Sequence, residues 1–155
     1  MYSVLFSKRQ TWQSQVDNLS NVTGLHSILV MESLLGTMKV VCANSNQDIY
    51  HEAEEGPKSV QAGCHELYCE RVVNTGNELF VADAAADNEW KGNEDLVKFG
   101  LGVYLGLPIR LNGEVVGTVC ALHNKPYDFC KGETSARDRL YQLQVTIEKD
   151  LMIES

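Results

Sequence analysis

The sequence predicts an α+β domain in which two long amphipathic helices bracket a mostly antiparallel sheet. Three observations support this prediction: helical periodicity near both ends, β-branched apolar runs between them, and an Asn-Gly turn that joins two of those runs. The 155 residues, 44% hydrophobic and 22% charged, are typical of one globular domain. We therefore expect a single domain over 1–155, with the N-terminal helix in 1–24, the sheet and pocket loops in 25–132, and the C-terminal helix in 133–155.

The first predicted helix covers Lys8 to Thr23. Its apolar side chains recur at steps of three and four residues, at Trp12, Val16, Leu19 and either Val22 or Thr23. Gly24 follows, and glycine is typical of the residue after a helix. The next two apolar runs, 27–33 and 38–43, are separated by a stretch that contains Gly36 and therefore predict a hairpin.

The middle of the chain gives weaker signals. Residues 44–63 are polar and predict a connector or a short irregular helix. Residues 66–75 have apolar positions at helical spacing before Gly76 and predict a short helix, and residues 79–82 predict a brief strand. Residues 84–100 are acidic, and we expect them to form a lid or a short helix over a cavity.

The last third of the chain gives the clearest signals. Residues 103–111 and 114–123 are strand-like runs separated by Asn112-Gly113, which suits a type I′ turn and predicts an antiparallel hairpin. Residues 134–151 predict a helix with an apolar seam at Ala136, Leu140, Leu143, Ile147 and Leu151. This seam either pairs with its mate in a second chain, giving a homodimer, or lies on the sheet of its own chain.

The charge distribution excludes some partners. Between Asp48 and Asp95 there are twelve acidic residues and three basic ones, so the formal net charge of −8 comes almost entirely from the middle of the chain. A chain with no basic face is not expected to bind nucleic acid. Its apolar runs are also too short to span a membrane, and the N-terminus, with Lys8 and Arg9 after its apolar residues, lacks the order of a secretory signal. We therefore expect a cytoplasmic protein.

The cysteines and histidines do not predict a metal site. The five cysteines are Cys42, Cys64, Cys69, Cys120 and Cys130, and no two form a Cys-x-x-Cys pair. The adjacent Cys64 and His65 would point in different directions from a regular helix or strand, which suits joint metal binding poorly. We expect reduced thiols that behave as small apolar side chains.

Several segments resemble the GAF domain family. They are Leu67-Tyr68-Cys69 before a short helix, Leu79 to Asp83, an acidic loop reaching Asn93, Gly102 to Ile109, and Gly113 to Cys120. The resemblance follows the order of elements over nearly the whole chain, and its specific part lies within residues 64–135. It is nearest to the GAF domains found beside histidine kinases and diguanylate cyclases in bacterial sensors.

The resemblance implies a PAS-like GAF fold. In this fold a central antiparallel sheet of about six strands carries the N- and C-terminal helices on one face and a ligand pocket under short helices and loops on the other. The candidate ligand-binding residues combine apolar groups with a few polar ones, as pockets require: Asp83, Asp87, Trp90, Val97, Phe99, Tyr104, Leu107, Cys120 and His123. We expect the segment around Trp90 to roof a hollow, because a Trp in an acidic loop tends to fold back over apolar groups.

The function implied by the resemblance is small-molecule sensing in bacterial signal transduction. Ligand binding would shift the packing of the terminal helices in a homodimer, and a kinase or cyclase would be the downstream partner. Two alternatives stay open: a dimerisation or interaction domain without a ligand, and a cyclic-nucleotide-binding domain. The second rests on Asn124-Lys125, Phe129 and Glu133, which partly resemble the motif of phosphodiesterase GAF domains. The acidic middle of the chain favours a neutral, zwitterionic or cationic ligand instead.

Neither enzyme activity nor a prosthetic group is expected from the sequence. Free methionine-(R)-sulfoxide reductases are GAF enzymes with reactive cysteines around the lid and the following strand, whereas residues 99–108 contain no Cys. Phytochrome-type GAF domains attach a bilin through a Cys-His pair after the lid strand, whereas Cys64-His65 precedes the short helix. We expect the protein not to be an enzyme and to hold no metal, haem or bilin.

Overall fold

The structure, a computed structural model, describes residues 4–153, so the first three and last two residues of the expected domain lie outside the described part. The helices are α1 (Val4–Ser7), α2 (Arg9–Thr23), α3 (Tyr68–Thr75), α4 (Glu94–Phe99) and α5 (Ala136–Ile153). The strands are β1 (Ser27–Ser33), β2 (Thr37–Ala43), β3 (Glu55–Pro57), β4 (Leu79–Val81), β5 (Val103–Leu111) and β6 (Glu114–His123). A 3₁₀ turn (Ala84–Ala86) lies between β4 and α4.

The six strands form one antiparallel sheet in the order β3-β2-β1-β6-β5-β4. The predicted hairpin is present as β5 and β6, and Asn112 and Gly113 have φ angles of 54° and 83°, as a type I′ turn requires. Gly24, at a φ of 75°, ends α2 where the sequence predicts its end. The prediction of an α+β domain with about six antiparallel strands is confirmed.

The two faces of the sheet bury separate sets of side chains. On one face, α2 and α5 pack over alternate residues of the central strands, including Ile28, Val30 and Val119. On the other face, α3 and the segments around it cover the intervening residues, including Leu29 and Cys120. The central strands are therefore apolar on both sides, and their sequences are continuous apolar runs without alternation.

The seam of the C-terminal helix lies on the sheet of its own chain. Each of its five apolar residues is at most 7% exposed and belongs to the core beneath α2 and α5: Ala136, Leu140, Leu143, Ile147 and Leu151. These side chains are not available to a second chain, so the alternative in which the seam pairs with its mate is wrong for this structure. No helix within residues 4–153 is both long and apolar enough to cross a bilayer.

The polar connector between β2 and α3 contains a strand that the sequence does not predict. Glu55 to Pro57 form β3, which pairs with β2 through Thr37↔Pro57, Met38↔Gly56 and Lys39↔Glu55. This strand draws the connector over the face of the sheet opposite α2 and α5. The polar composition of residues 44–63 conceals this role, because most of these residues are exposed to solvent.

Candidate ligand-binding cavity

A cavity of about 480 Å³ lies on the sheet face opposite α2 and α5. Its floor is formed by strand residues that alternate along each strand, since only every second side chain points to this face. The floor residues are Leu29, Met31, Met38, Val40, Tyr104, Cys120 and Leu122. The volume lies within the range of about 300–1,000 Å³ that small-molecule pockets occupy.

Two segments that are distant in sequence form the rest of the wall. The connector contributes Ile49, Tyr50 and residues 54–57, and α4 contributes Glu94, Asp95, Lys98 and Phe99. The Tyr50 hydroxyl donates a hydrogen bond of 2.8 Å to Asp95 Oδ1, and the Tyr50 and Phe99 rings meet edge to face with their centroids 6.3 Å apart. These contacts hold the connector and α4 together beside the cavity.

The side chain of Gln47 fixes the position of Tyr50. Gln47 Oε1 accepts hydrogen bonds of 2.8 Å from the backbone N–H groups of Ile49 and Tyr50. Its Nε2 donates to the carbonyl oxygens of Asn44 and Tyr50 at 3.0 and 2.7 Å. One side chain therefore satisfies four backbone groups of a segment that has no regular secondary structure.

A buried carboxylate, Glu70, joins the connector to α3. It is 2% exposed, and its oxygens accept hydrogen bonds from the Leu67 N–H at 3.0 Å, the Ser59 N–H at 3.0 Å and the Ser59 hydroxyl. This arrangement satisfies the buried charge. It also sets α3 in place, and α3 contributes Tyr68 and Cys69 to the cavity wall.

Two stacked tyrosines form part of the cavity lining. The Tyr68 and Tyr104 rings stack with centroids 4.8 Å apart and planes inclined by 28°. The Tyr68 hydroxyl donates to the Leu101 carbonyl at 3.1 Å. Within residues 4–153, no group lies at hydrogen-bonding distance and angle to the buried Tyr104 hydroxyl. Gly106 makes this packing possible, because a Cβ there would overlap the end of the Tyr104 ring.

The ionisable groups of the cavity have shifted pKa values. Burial raises the pKa of Asp95, and the Tyr50 hydrogen bond opposes this shift only in part. Burial also raises the pKa of Cys120 to about 12. The pKa of Cys69 is raised as well, first by burial and then by the neighbouring Cys120 thiol. Both thiols are therefore protonated at neutral pH.

The structure brings three of the nine candidate residues together in the cavity wall: Phe99, Tyr104 and Cys120. Leu107 is fully buried on the opposite face, in the core beneath α5. Val97 is 68% exposed on the outer side of α4. Leu107 and Tyr104 are three residues apart in β5, so their side chains must point to opposite faces of the sheet.

The remaining candidates also lie outside the cavity wall. Asp83 is exposed and Asp87 is half-buried next to the 3₁₀ turn, and Asp87 Oδ1 accepts a hydrogen bond from the Glu89 N–H at 2.9 Å. His123, at the end of β6, accepts a hydrogen bond of 3.0 Å from the His26 N–H through Nδ1. Burial lowers the pKa of His123, which favours the neutral ring that this hydrogen bond needs.

Trp90 packs against protein and does not cover the hollow. Its ring is 4% exposed, lies 5.1 Å from the Tyr68 ring between centroids, and has the Arg71 guanidinium 4.9 Å from its own centroid. The cavity of about 480 Å³ lies instead beneath the connector and α4, and Trp90 does not line it. The expectation of a hollow on this face holds, but its placement under Trp90 is wrong.

The sequence reasoning missed the contribution of the connector. Ile49 and Tyr50 form an apolar pair within a polar stretch, and this pair is the one local signal that could have pointed to the cavity. The sequence places four floor residues in strands without indicating a site, because a strand sequence does not tell which face of the sheet carries a cavity. These residues are Leu29, Met31, Met38 and Val40.

The fold and this cavity define a class, that of PAS-like α+β domains with a pocket on one face of the sheet. The chain belongs to the GAF domain family, whose model matches residues 9–143. No curated protein sequence matches the chain. Within residues 4–153, no group of three or more His, Cys, Asp or Glu side chains is arranged to hold a metal ion.

Solved structures share the fold at low identity. The type II free methionine-R-sulfoxide reductase of Thermoplasma acidophilum has a TM-score of 0.70 at 14% identity, with 97% of this chain and 96% of that one covered. The PixJ GAF domain of Thermosynechococcus elongatus has a TM-score of 0.70 at 12% identity, with 99% and 92% covered. The GAF domain of an Acinetobacter phosphoenolpyruvate-protein phosphotransferase has a TM-score of 0.68 at 12% identity, with 98% and 84% covered.

These similarities correct one expectation. The sequence argued against an enzyme, yet a reductase shares this fold over nearly the whole chain. The expectation that the protein is not an enzyme, which rested on the absence of Cys from residues 99–108, is therefore contradicted. The GAF fold hosts enzymes and light-receptor domains alike, so the fold alone does not decide between catalysis and binding.

Proposed function

We propose that this chain is a sensory GAF domain that binds a small molecule in the cavity between the sheet and its cover of connector and α4. The observation that supports this most is the cavity itself, which combines a mainly apolar floor with polar and charged groups in the connector and α4. The hydrogen bond between Tyr50 and Asp95 joins the two covering segments, so a ligand that enters between them must contact or displace this pair.

Binding reaches the terminal helices through the strands. Neighbouring residues of β6 face opposite sides: Cys120 lines the cavity, and Val119 and Ala121 pack in the core under α2 and α5. A ligand that prefers one arrangement of the strands therefore also favours one arrangement of the helices. In bacterial signal transduction such a shift would pass to a kinase or cyclase partner.

The proposed homodimer would use the outward faces of the terminal helices. The apolar seam of α5 is occupied by the sheet, whereas Val22 on α2 and Val145 on α5 are 52% and 47% exposed. Sedimentation of wild type and Val145→Glu tests this contact. A dimer whose mass is unchanged in the variant removes Val145 from the interface.

A thermal-shift screen against metabolites, including amino acids, amines and cyclic nucleotides, tests the proposed function. A ligand at one hundred times its Kd adds about 2.7 kcal/mol of stability. Val40→Phe would fill the cavity and abolish the shift, because Val40 forms part of its floor. Val60→Phe, the same change at a residue 79% exposed, should leave the shift intact. A ligand whose binding survives Val40→Phe binds elsewhere and contradicts the proposal.

A second candidate function is the reduction of free methionine-R-sulfoxide. It is favoured by two thiols, Cys69 and Cys120, that line the same cavity, and by the fold shared with the reductase. In this reaction two thiols become a disulfide, the sulfoxide becomes a thioether, and its oxygen leaves as water. The raised pKa of both thiols opposes it, because the thiolate is the reactive form.

A direct assay decides the second candidate. The assay measures consumption of free methionine-R-sulfoxide with dithiothreitol as the reductant. If the second candidate is correct, this activity is lost in Cys120→Ser and in Cys69→Ser. It is kept in the control Cys130→Ser, because Cys130 is exposed and lies outside the cavity. Absence of turnover in the wild type rules out this candidate.

A further inference from the structure

We propose that the cavity takes an organic cation, specifically a protonated amine that carries an apolar or aromatic body. This inference rests on the proposed function and narrows it to one class of ligand. It follows from three features of the wall: its charge, its aromatic rings and the bonding of one carboxylate.

The charge of the wall is negative. Four carboxylates line the cavity, those of Glu54, Glu55, Glu94 and Asp95, against the single ammonium group of Lys98. That ammonium lies 3.8 Å from a Glu94 carboxylate oxygen, so its charge is already compensated within α4. No Arg or His belongs to the wall within residues 4–153. The field in the cavity therefore attracts cations and repels anions.

The aromatic rings of the wall suit a cation with an apolar body. Four rings line the cavity in two pairs: Tyr68 with Tyr104, and Tyr50 with Phe99. Ring faces attract an ammonium group, and this attraction grows when water is excluded. The thioethers of Met31 and Met38 and the aliphatic floor offer contacts to the rest of the ligand.

Asp95 is the carboxylate placed to meet the ammonium group. Its Oδ1 accepts the hydrogen bond from Tyr50, and within residues 4–153 no side chain donates to its Oδ2 or forms an ion pair with it. A half-buried carboxylate that retains a free oxygen is stabilised when an ammonium donor binds to that oxygen. Tyr50, whose hydroxyl donates to Asp95, also lines the cavity, so an aromatic ring belongs to the same part of the wall.

Three compounds of similar shape isolate the contribution of charge: 2-phenylethylamine as the cation, 2-phenylethanol as the neutral analogue and 3-phenylpropionate as the anion. Calorimetry on the full chain should give an affinity for the amine about 10- to 100-fold above that for the alcohol, the range expected for a hydrogen bond to a charged group. The anion should bind more weakly than either.

Asp95→Asn should lower the affinity for the amine to that for the alcohol and leave the affinity for the alcohol unchanged. Asp83→Asn, which removes one negative charge from the same acidic region outside the cavity, should leave both affinities unchanged. The melting temperature of each variant without ligand verifies that it folds. A loss of amine binding in Asp83→Asn equal to that in Asp95→Asn would assign the preference to the net charge and overturn the role of the cavity.

The outcomes separate this inference from the proposed function. Equal binding of amine and alcohol, stronger binding of the anion, or no binding of the amine at millimolar concentration overturns the inference of a cationic ligand. The proposed function survives each of these results if the metabolite screen finds a neutral or anionic ligand that Val40→Phe excludes. It fails only if no ligand in the screen depends on the cavity.

Discussion

The two faces of the sheet differ in how completely they are filled. Under α2 and α5, side chains such as Trp12, Val16, Ile147 and Leu107 are fully buried in a continuous apolar core. On the other face the same strands carry one tyrosine, one thiol and two methionines around a cavity of about 480 Å³, namely Tyr104, Cys120, Met31 and Met38. One face is packed as an ordinary core, whereas the other keeps polar atoms and unfilled space at a cost in stability.

This difference indicates a division of roles. The larger of the two buried clusters lies between the sheet and the terminal helices, so we expect most of the stabilising apolar burial there. The residues around the cavity are held by specific hydrogen bonds to the side chains of Gln47 and Glu70, which position a wall that packing alone would not hold open. Four predictions test this contrast, from the largest expected effect to the smallest.

Truncation should cost more on the packed face than beside the cavity. Ile147→Ala should destabilise the domain by about 4 kcal/mol, and Leu122→Ala by about 2 kcal/mol, the upper and lower parts of the range for such changes. Ile147 is surrounded by core atoms, whereas Leu122 borders space that already lacks contacts. Urea unfolding of both variants provides the comparison, and equal losses would mean that the cavity face is packed as tightly as the other.

Loss of the Glu70 carboxylate should loosen the cavity wall. Glu70→Gln leaves at least one N–H or O–H donor of Ser59 or Leu67 without its acceptor, and we expect a loss of about 2 kcal/mol. Hydrogen exchange should accelerate in residues 54–61 more than in α5. Glu89→Gln, which weakens a more exposed ion pair with Arg71, serves as the control with a loss below about 1 kcal/mol.

A side chain at Gly106 should disturb the stacked tyrosines. Gly106→Ala forces its Cβ against the Tyr104 ring, and we expect a loss of about 1–3 kcal/mol from overpacking. Combined with Tyr104→Ala, the change should cost much less, which a double-mutant cycle measures as coupling. Gly56→Ala is the control, because its Cβ would lie an ordinary 3.7 Å from Leu67.

Two carboxylates should show opposite pH effects. Hydrogen bonds, first from Arg137 and then from Tyr141, lower the pKa of Glu78, so its contribution is present at neutral pH and is lost as the pH falls through that lowered value. Burial raises the pKa of Asp95, so its protonated form favours folding at low pH and this contribution is lost as the pH rises through the raised value.

Urea midpoints between pH 3 and pH 7 measure both effects. Glu78→Gln should lower stability at pH 7, by less than about 1 kcal/mol because the pair is partly exposed, and the difference from wild type should shrink towards pH 3. Asp95→Asn should show the reverse trend. The free energy of unfolding of this variant, relative to that of the wild type, should increase as the pH rises. Parallel curves for wild type and both variants would contradict these assignments.

The hairpin of β5 and β6 and the end of α2 could be predicted from the sequence, because each depends on the backbone preferences of one or two adjacent residues. The Asn112-Gly113 turn and the glycine after α2 impose backbone angles that few other residues adopt, so they fix the hairpin and the end of the helix. The strand in the polar connector was missed, because its pairing with β2 and the bonds of Gln47 depend on contacts that sequence spacing does not reveal.

The candidate site was predicted only in part for a reason that the sequence itself contained. Tyr104 and Leu107 were both assigned to the site although they are three residues apart in a strand, as are Cys120 and His123. The period of two allows only one member of each pair on a given face, and the structure has Tyr104 and Cys120 on the cavity face. Choosing between the faces required the position of α3, which depends on long-range packing.

Both outer strands of the sheet, β3 and β4, are only three residues long. One of them contains Pro57, whose nitrogen cannot donate to a further strand. Edge strands this short expose few unpaired backbone groups to which a strand of another molecule could hydrogen-bond. We therefore expect a low tendency to form fibrils through the edges of the sheet.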